Sequence, residues 1–479
     1  MGVALRSCAP PETRIPAAPP PTLPASVHRA RIDALRDRAR RDGIDLLVVW
    51  GDREHAHNVA YLTGFDPRFE EAILLVPTGA AAPPAPRLLV GNECLGYAPD
   101  PAVGVTVELW QDLSLMGQPR DRSRTLREIV AEAGARDGAR IGCVGWKTYT
   151  RALLDAGDGV GRADTTDGDV AIDVPAFVVD VLRDLVGPRG AVVNSTGILT
   201  AVDGGLRTIN EPEQIRLFEY AACITSSGVM SLLRRVRPGV REDDLERELD
   251  SRGLTLSCHR MVGFGDKARR GLASASANAA RPGDALTTAF GVAGALTCRA
   301  GAVAAGPAEM PAEVREHFDR LAANYFSVVR AWYGALRIGA TGGEVWAAAE
   351  AARDASLYEF LLNPGHYLHL DEWVHSPFVR GGTVPLRSGM ALQADIIPVS
   401  KGPFCYVNLE DGVVLADAAL RAELERRDPP MMARVARRRA YMVDVLGYDL
   451  DECVLPLGDT SGWLAPYVCD LTRALAYAR

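Results

Sequence analysis

Asn363-Pro-Gly-His-Tyr-Leu-His-Leu-Asp-Glu-Trp-Val-His375 holds three of the chain's eight histidines, with Asp371 and Glu372 between them. Asp395 follows in the apolar run Ala391-Leu-Gln-Ala-Asp-Ile-Ile-Pro398, and Glu410 in Tyr406-Val-Asn-Leu-Glu-Asp411. No other stretch gathers as many groups able to bind a metal or move a proton. A carboxylate inside an apolar strand must be paired or protonated. Asp395 therefore needs a partner, either a histidine of this cluster or an arginine such as Arg299. Two buried acids on neighbouring strands are expected to have pKa values pushed apart, the condition for an acid/base pair.

Working outward, 479 residues are too many for one ordinary core, so two domains are expected. Hydrophobic residues make up 48% and charged residues 24%, which places the chain among globular proteins. Net charge is −8, and the only lysines are Lys147, Lys267 and Lys401. No basic run suggests nucleic acid, so the arginines read as solvated surface and a small molecule or short peptide is the expected partner. No window approaches the ~18 apolar residues of a membrane span. Nine cysteines without a CxxC pair, and a start without a secretory pattern, lead to the expectation of a reducing cytoplasm.

Residues 1–25, rich in Pro and Ala, read as a disordered lead-in. Residues 26–205 alternate helical and strand patterns and predict an α/β domain. Ser26 is the expected N-cap of a helix over Val27–Asp42, and Ser123 that of one reaching about Ala135. Ile44 to Trp50 reads as a buried strand. From 206 to 479 the pattern changes to long helices over Glu211–Arg235 and Pro311–Leu336. Each is followed by an Arg-x-Gly-type turn, a helix with an acidic start (Glu242–Arg252, Gly343–Ala355) and a sheet segment, which points to an internal duplication.

Taken in order, several pieces resemble the superfamily of creatinase, prolidase, aminopeptidase P and methionine aminopeptidase. They are Asn58-Val-Ala-Tyr-Leu-Thr-Gly-Phe65, Leu206-Arg-Thr-Ile-Asn-Glu-Pro-Glu-Gln-Ile215, Gly365-His366 with Leu370-Asp371, Gly389-Met390, Asp395 and Glu410. The resemblance covers most of the chain. It implies an α/β (α+β) protein: an N-terminal creatinase-like α/β domain, then a pita-bread domain with a curved, duplicated antiparallel sheet. It also implies a homodimer, and a dinuclear metal site held by two Asp, one His and two Glu. Such carboxylates bridge two ions that acidify a shared water.

Carried over residue by residue, that ligand set is incomplete. The first Asp position falls on Ala289 and the second on Ala300. The His is His366, the first Glu is the shorter Asp395, and the last is Glu410. Creatinase is the superfamily's example of chemistry without metal, but the place of its histidine falls at about Leu272, near Ser274, Ser276 and Asn278.

The expected function is therefore hydrolysis of a C–N bond in a small N-substituted amino acid or dipeptide-like molecule, without the dinuclear centre. The catalytic candidates are His366, His369, Asp371, Asp395 and Glu410. In an extended segment, Asp371 would share a face with His369 and orient its ring. His259, Arg260, His375 and Arg299 are candidates for binding substrate. An alternative is a single Zn²⁺ or Mn²⁺ held by His366, His369, Asp395 and Glu410. A third is a catalytically silent member that binds a ligand or partner. His28 and His317 read as surface residues.

Overall fold

The computed structural model describes residues 2–79, 83–97, 100–150 and 170–477. It divides into two compact units: Leu23–Arg207, and Thr208–Arg479 together with Met1–Thr22.

In the Leu23–Arg207 unit, strand Leu46–Gly51 is buried along nearly its whole length. A continuous apolar run is what a strand covered on both faces requires. It pairs antiparallel with Ala72–Pro77 and parallel with Arg140–Val144, so the sheet is mixed. On one face, Leu47 and Val49 pack with Ile32, Leu35 and Ala39 of helix Ala25–Arg41. On the other, Leu46 and Val48 pack with Ile129 and Val130 of helix Leu126–Ala133 and with Val178 and Leu182 of helix Ala176–Val186.

Both expected serine caps are corrected. The first helix starts at Ala25 after Pro24, with no side-chain cap. The Leu126 helix is capped by Thr125 in a reciprocal box with Glu128, two residues beyond Ser123. Ser123 Oγ instead accepts from the Gln111 N–H at 3.0 Å. His28 is buried rather than on the surface, its Nδ1 3.1 Å from the Tyr61 carbonyl oxygen.

In the larger unit, helix Pro212–Leu233 begins with Pro212 at its first position, where a missing N–H costs nothing. Helices Ala312–Ala335 and Gly342–Ala352 repeat the pattern, the latter boxed by Thr341 and Glu344. The expected Glu242–Arg252 helix is shorter, Glu242–Glu246. The buried Glu242 carboxylate ties its start to a neighbouring loop, accepting from Phe264 N, Ser276 N, Asn278 Nδ2 and Lys267 Nζ. The chain then turns through the left-handed residues Arg252 and Gly253.

Seven described strands form one antiparallel sheet in this unit. Met261–Phe264 pairs with Ala285–Val292, and that strand with Ala295–Ala302. Next come Asn408–Leu415, Ala391–Asp395 and His366–Tyr367. Val454–Pro456 also pairs with Asn408–Leu415.

The lead-in differs from its composition. Val3–Ser7 pairs antiparallel with Arg473–Tyr477, and Arg14 N donates to Asp459 Oδ2 at 2.9 Å. Residues 3–7 contain no proline, so every backbone N–H there can serve a ladder; the prolines, which cannot donate, fall after them. The arginines are also not all solvated. Arg31, Arg207, Arg299 and Arg438 are buried. Arg438 is held by Glu219 at 2.7 Å and Asp459 at 2.8 Å.

Candidate active site

The site is built on one face of the larger unit's sheet. Side chains alternate across a strand, so residues two apart share a face, and so do residues paired across strands. The pairings Met261 with Ala289, Ala289 with Cys298, Cys298 with Glu410, and Glu410 with Asp395 make one row. A second row on the same face runs Thr287, Ala300, Asn408. Gln393 pairs with His366 at the far side.

His366 is fully buried and reaches three acids. Its Nε2 lies 3.1 Å from Glu372 Oε1, 3.5 Å from Glu410 Oε1 and 4.0 Å from Asp395 Oδ2. The ring stacks on Trp373, with centroids 4.2 Å apart. His366 Nε2, Asp395 Oδ1 and Glu410 Oε1 are buried with no aligned hydrogen bond; the short Nε2–Glu372 separation is proximity without hydrogen-bond geometry.

The electrostatics follow from burial. Desolvation pushes the Asp395 carboxyl up to about 7; the His366 charge opposes this and Glu372 adds to it. Desolvation and the Asp395 charge hold Glu410 well above the usual carboxylate range. Burial works against the charged form of His366, but Glu372, Glu410 and Asp395 together outweigh it and raise it well above its ordinary value. Both strand acids are raised because both are buried, and the Asp395 charge raises Glu410 further.

Glu372 is the member of this cluster that lies outside the positions the resemblance implies. It sits on the turn after His366–Tyr367, held by Tyr367 N to His375 O at 2.7 Å and Val374 N to Tyr367 O at 3.2 Å. The one sequence signal for it was an acid six residues past the Gly-His histidine.

The extended arrangement expected for His369 and Asp371 is corrected. His369 N donates to Asp371 O at 3.2 Å, which closes a tight turn in place of a strand. The His369 ring stands edge-on to Phe218, and its Nδ1 accepts from Leu370 N at 2.8 Å. His375 Nδ1 accepts from Ser376 N at 2.8 Å. His259 is exposed and donates from Nε2 to Leu272 O at 2.7 Å. Arg260 pairs with Glu246 at 3.5 Å.

Arg299 is neither substrate-facing nor the partner of Asp395. It adjoins Ala300 in sequence, so it points to the opposite face, where its Nη2 donates to Asp411 at 2.8 and 3.0 Å. Near the creatinase-type histidine position, Leu272 is exposed, and Ser276 and Asn278 are bound to Glu242.

Residues 216–417 match the model of metallopeptidase family M24. The fold is similar to that of an Xaa-Pro dipeptidase from Bacillus anthracis (17% identity, TM-score 0.58, 82% of this chain and 96% of that one). It is also similar to the dipeptidase PepE from Mycobacterium ulcerans (20%, 0.59, 82% and 94%) and to the prolidase from Pyrococcus horikoshii OT3 (14%, 0.59, 81% and 95%). The fold is that of the creatinase, prolidase and aminopeptidase P superfamily. At these identities the structural likeness is one of fold. No curated protein matches the sequence.

Against the superfamily's two-ion centre, the residues present do not fit. The 285–292 and 295–302 strands offer Ala289 and Ala300, which have no lone pairs, and Ala289 packs with Met261, Leu296 and Cys298 in a small apolar cluster. The Cys298 thiol is held far up by burial and by Glu410 and Asp395, so it supplies no thiolate. The donors that remain are Glu410 and Asp395 on the other half of the row, His366 beside them, and Glu372 on the turn.

Proposed function

We propose that this chain is a hydrolase that cleaves a C–N bond in a small N-substituted amino acid or dipeptide-like substrate, at the surviving half of the superfamily's site. The observation that carries this reading is the buried convergence of His366 with Glu372, Glu410 and Asp395. A carboxyl poised near 7, as Asp395 is, exchanges protons at neutral pH. Asp395 takes the proton from the attacking water as it adds to the carbonyl carbon, then returns it to the nitrogen as the C–N bond breaks. Glu410, which keeps its proton, donates a hydrogen bond to the substrate. His366, held positive by the three acids, faces the developing oxyanion. Zn²⁺ or Mn²⁺ on His366, Glu372 and Glu410 would take the place of the protons on His366 and Glu410, and would supply a Lewis acid and a more acidic water there.

The substrate class is supported by the fold relatives, which are prolidases and dipeptidases by name. Among the described residues no helix is long and apolar enough to cross a membrane. All nine cysteines are free, which suits a reducing cytoplasm. The homodimer belongs to the proposal and is read by light scattering. A panel of N-acyl, amidino and X-Pro compounds, with and without added Mn²⁺ or Zn²⁺, tests the activity. Turnover of at least one compound, lost in His366→Ala, is expected. Silence across the panel would leave the ligand-binding alternative in its place.

A further inference from the structure

Glu372 lies on a turn, outside the strand positions from which the superfamily draws its carboxylates. Its place is nevertheless fixed. Two backbone hydrogen bonds brace the 374–375 end of the turn against Tyr367, and Trp373, the next residue, stacks on the His366 ring. Its side chain is 26% exposed, against 0% for His366, 6% for Asp395 and 9% for Glu410. Glu372 therefore stands at the mouth of an otherwise buried set.

We infer that Glu372 completes a relocated one-ion site: His366 Nε2, Glu372 and Glu410 bind a single divalent cation. The separations support it. Donors around one tetrahedral ion, at bond lengths of about 2.1 Å, stand about 3.4 Å from each other. From His366 Nε2, Glu372 Oε1 lies at 3.1 Å and Glu410 Oε1 at 3.5 Å. One ligand atom from each of His366, Glu372 and Glu410 falls within 4.8 Å of the other two.

Hydrogen bonding supports it as well. Were the cluster only an ion pair, the buried polar atoms would be spent on one another. Instead His366 Nε2 and Glu410 Oε1, 3.5 Å apart, stand without an aligned hydrogen bond. An imidazole lone pair and unsatisfied carboxylate oxygens aimed at one point are what a cation requires. A nitrogen donor among carboxylates favours Zn²⁺ or Mn²⁺ over Ca²⁺ or Mg²⁺, which take oxygen sets.

The number of ions is set by the rest of the row. Ala289 and Ala300 leave a second ion no carboxylate on the 285–292 and 295–302 strands. Glu372 thus replaces from the turn side part of what those strands lack.

This inference rests on the same half-site as the proposed hydrolase, but its test needs no turnover. The full chain, stripped with a chelator, is titrated with MnCl₂ alone and with ZnCl₂ alone. Binding is followed by calorimetry, and metal per chain is counted by mass spectrometry after desalting. One ion per chain is expected, with a raised melting temperature. Glu372→Gln should weaken binding by at least about tenfold, the lower range for lost metal-site partners. Glu372→Asp should fall between Gln and the natural residue, and Cys298→Ala should bind unchanged. Zero ions, two ions, or natural affinity in Glu372→Gln would overturn the inference. A chain that binds one ion but turns over nothing would refute the hydrolase and keep the ion site; turnover with no ion bound would do the reverse.

Discussion

Glu410 and Asp411 are consecutive on one strand, both buried, and face opposite sides of the sheet. Asp411 is saturated. It accepts from Arg299 Nη2 at 2.8 and 3.0 Å, from Thr460 Oγ1 at 3.1 Å and from Gly462 N at 3.1 Å. Glu410 Oε1 has no aligned hydrogen bond, and a histidine shared with two other acids stands 3.5 Å away. A saturated buried acid holds the sheet together. An unsaturated one is kept open for a proton, a substrate or an ion, at the expense of stability. The difference between the faces separates scaffold from site more sharply than burial does, because both acids are buried.

Several measurements would break or sharpen that contrast. The largest effect is expected on the saturated face. Arg299→Met leaves Asp411 buried without its cation and should cost about 3–5 kcal/mol in denaturant unfolding. A loss below about 1 kcal/mol would mean the pair is not holding the sheet.

On the open face, His366→Ala should lower kcat by about 10²–10⁴-fold on any compound the substrate panel returns, the usual range for a group moving or facing protons in the transition state. Unfolding free energy should fall by less than in Arg299→Met. If stability collapsed and the surviving folded fraction kept its kcat, His366 would belong to the scaffold.

pH provides the third test. The folded-state pKa of Asp395 is raised to about 7 from an ordinary value of 3.8. The folded chain therefore holds a proton that the unfolded chain has already released. Its contribution to stability is fully present below about 4 and is lost as pH rises through about 7, with a slope of at most about 1.4 kcal/mol per pH unit. His366, also raised, acts in the same direction. Metal-free protein should thus lose stability from pH 5 to 8, and Asp395→Asn should flatten the slope. Stability rising with pH across that window would contradict the open face.

The smallest effect is expected at Cys298. Its Sγ accepts from Asn408 Nδ2 at 3.5 Å, and it packs among Met261, Ala289 and Leu296. Cys298→Ala should cost about 1 kcal/mol and leave kcat within twofold. A tenfold loss of kcat would move this thiol into the chemistry.

Much of the architecture was legible in the residues. Continuous apolar runs gave the covered strands, and spacing gave the long helices from Pro212 and Ala312 within one or two residues of their ends. The errors were local competitions. Ser123 lost the cap to Thr125 because Glu128 completes a reciprocal box only with Thr125. The Glu242 helix stopped early because its first side chain is committed to a loop more than twenty residues on, which no local window contains. The prolines of the lead-in predict disorder, whereas Val3–Ser7, which precedes them, pairs with Arg473–Tyr477 far along the chain.

By itself the sequence determined the fold class, the expectation of a site at His366, Asp395 and Glu410, and the absence of acids at Ala289 and Ala300. Those are properties of residue identity at positions fixed by order and spacing. The tertiary structure alone decided that Glu372 joins the cluster, that Arg299 serves Asp411 rather than Asp395, and that His369 and Asp371 lie on a tight turn. The reason is geometric. Which face a side chain takes depends on strand register, and whether a turn bends back toward a sheet depends on hydrogen bonds such as Tyr367 N to His375 O. Neither is written in the identity of the residue concerned.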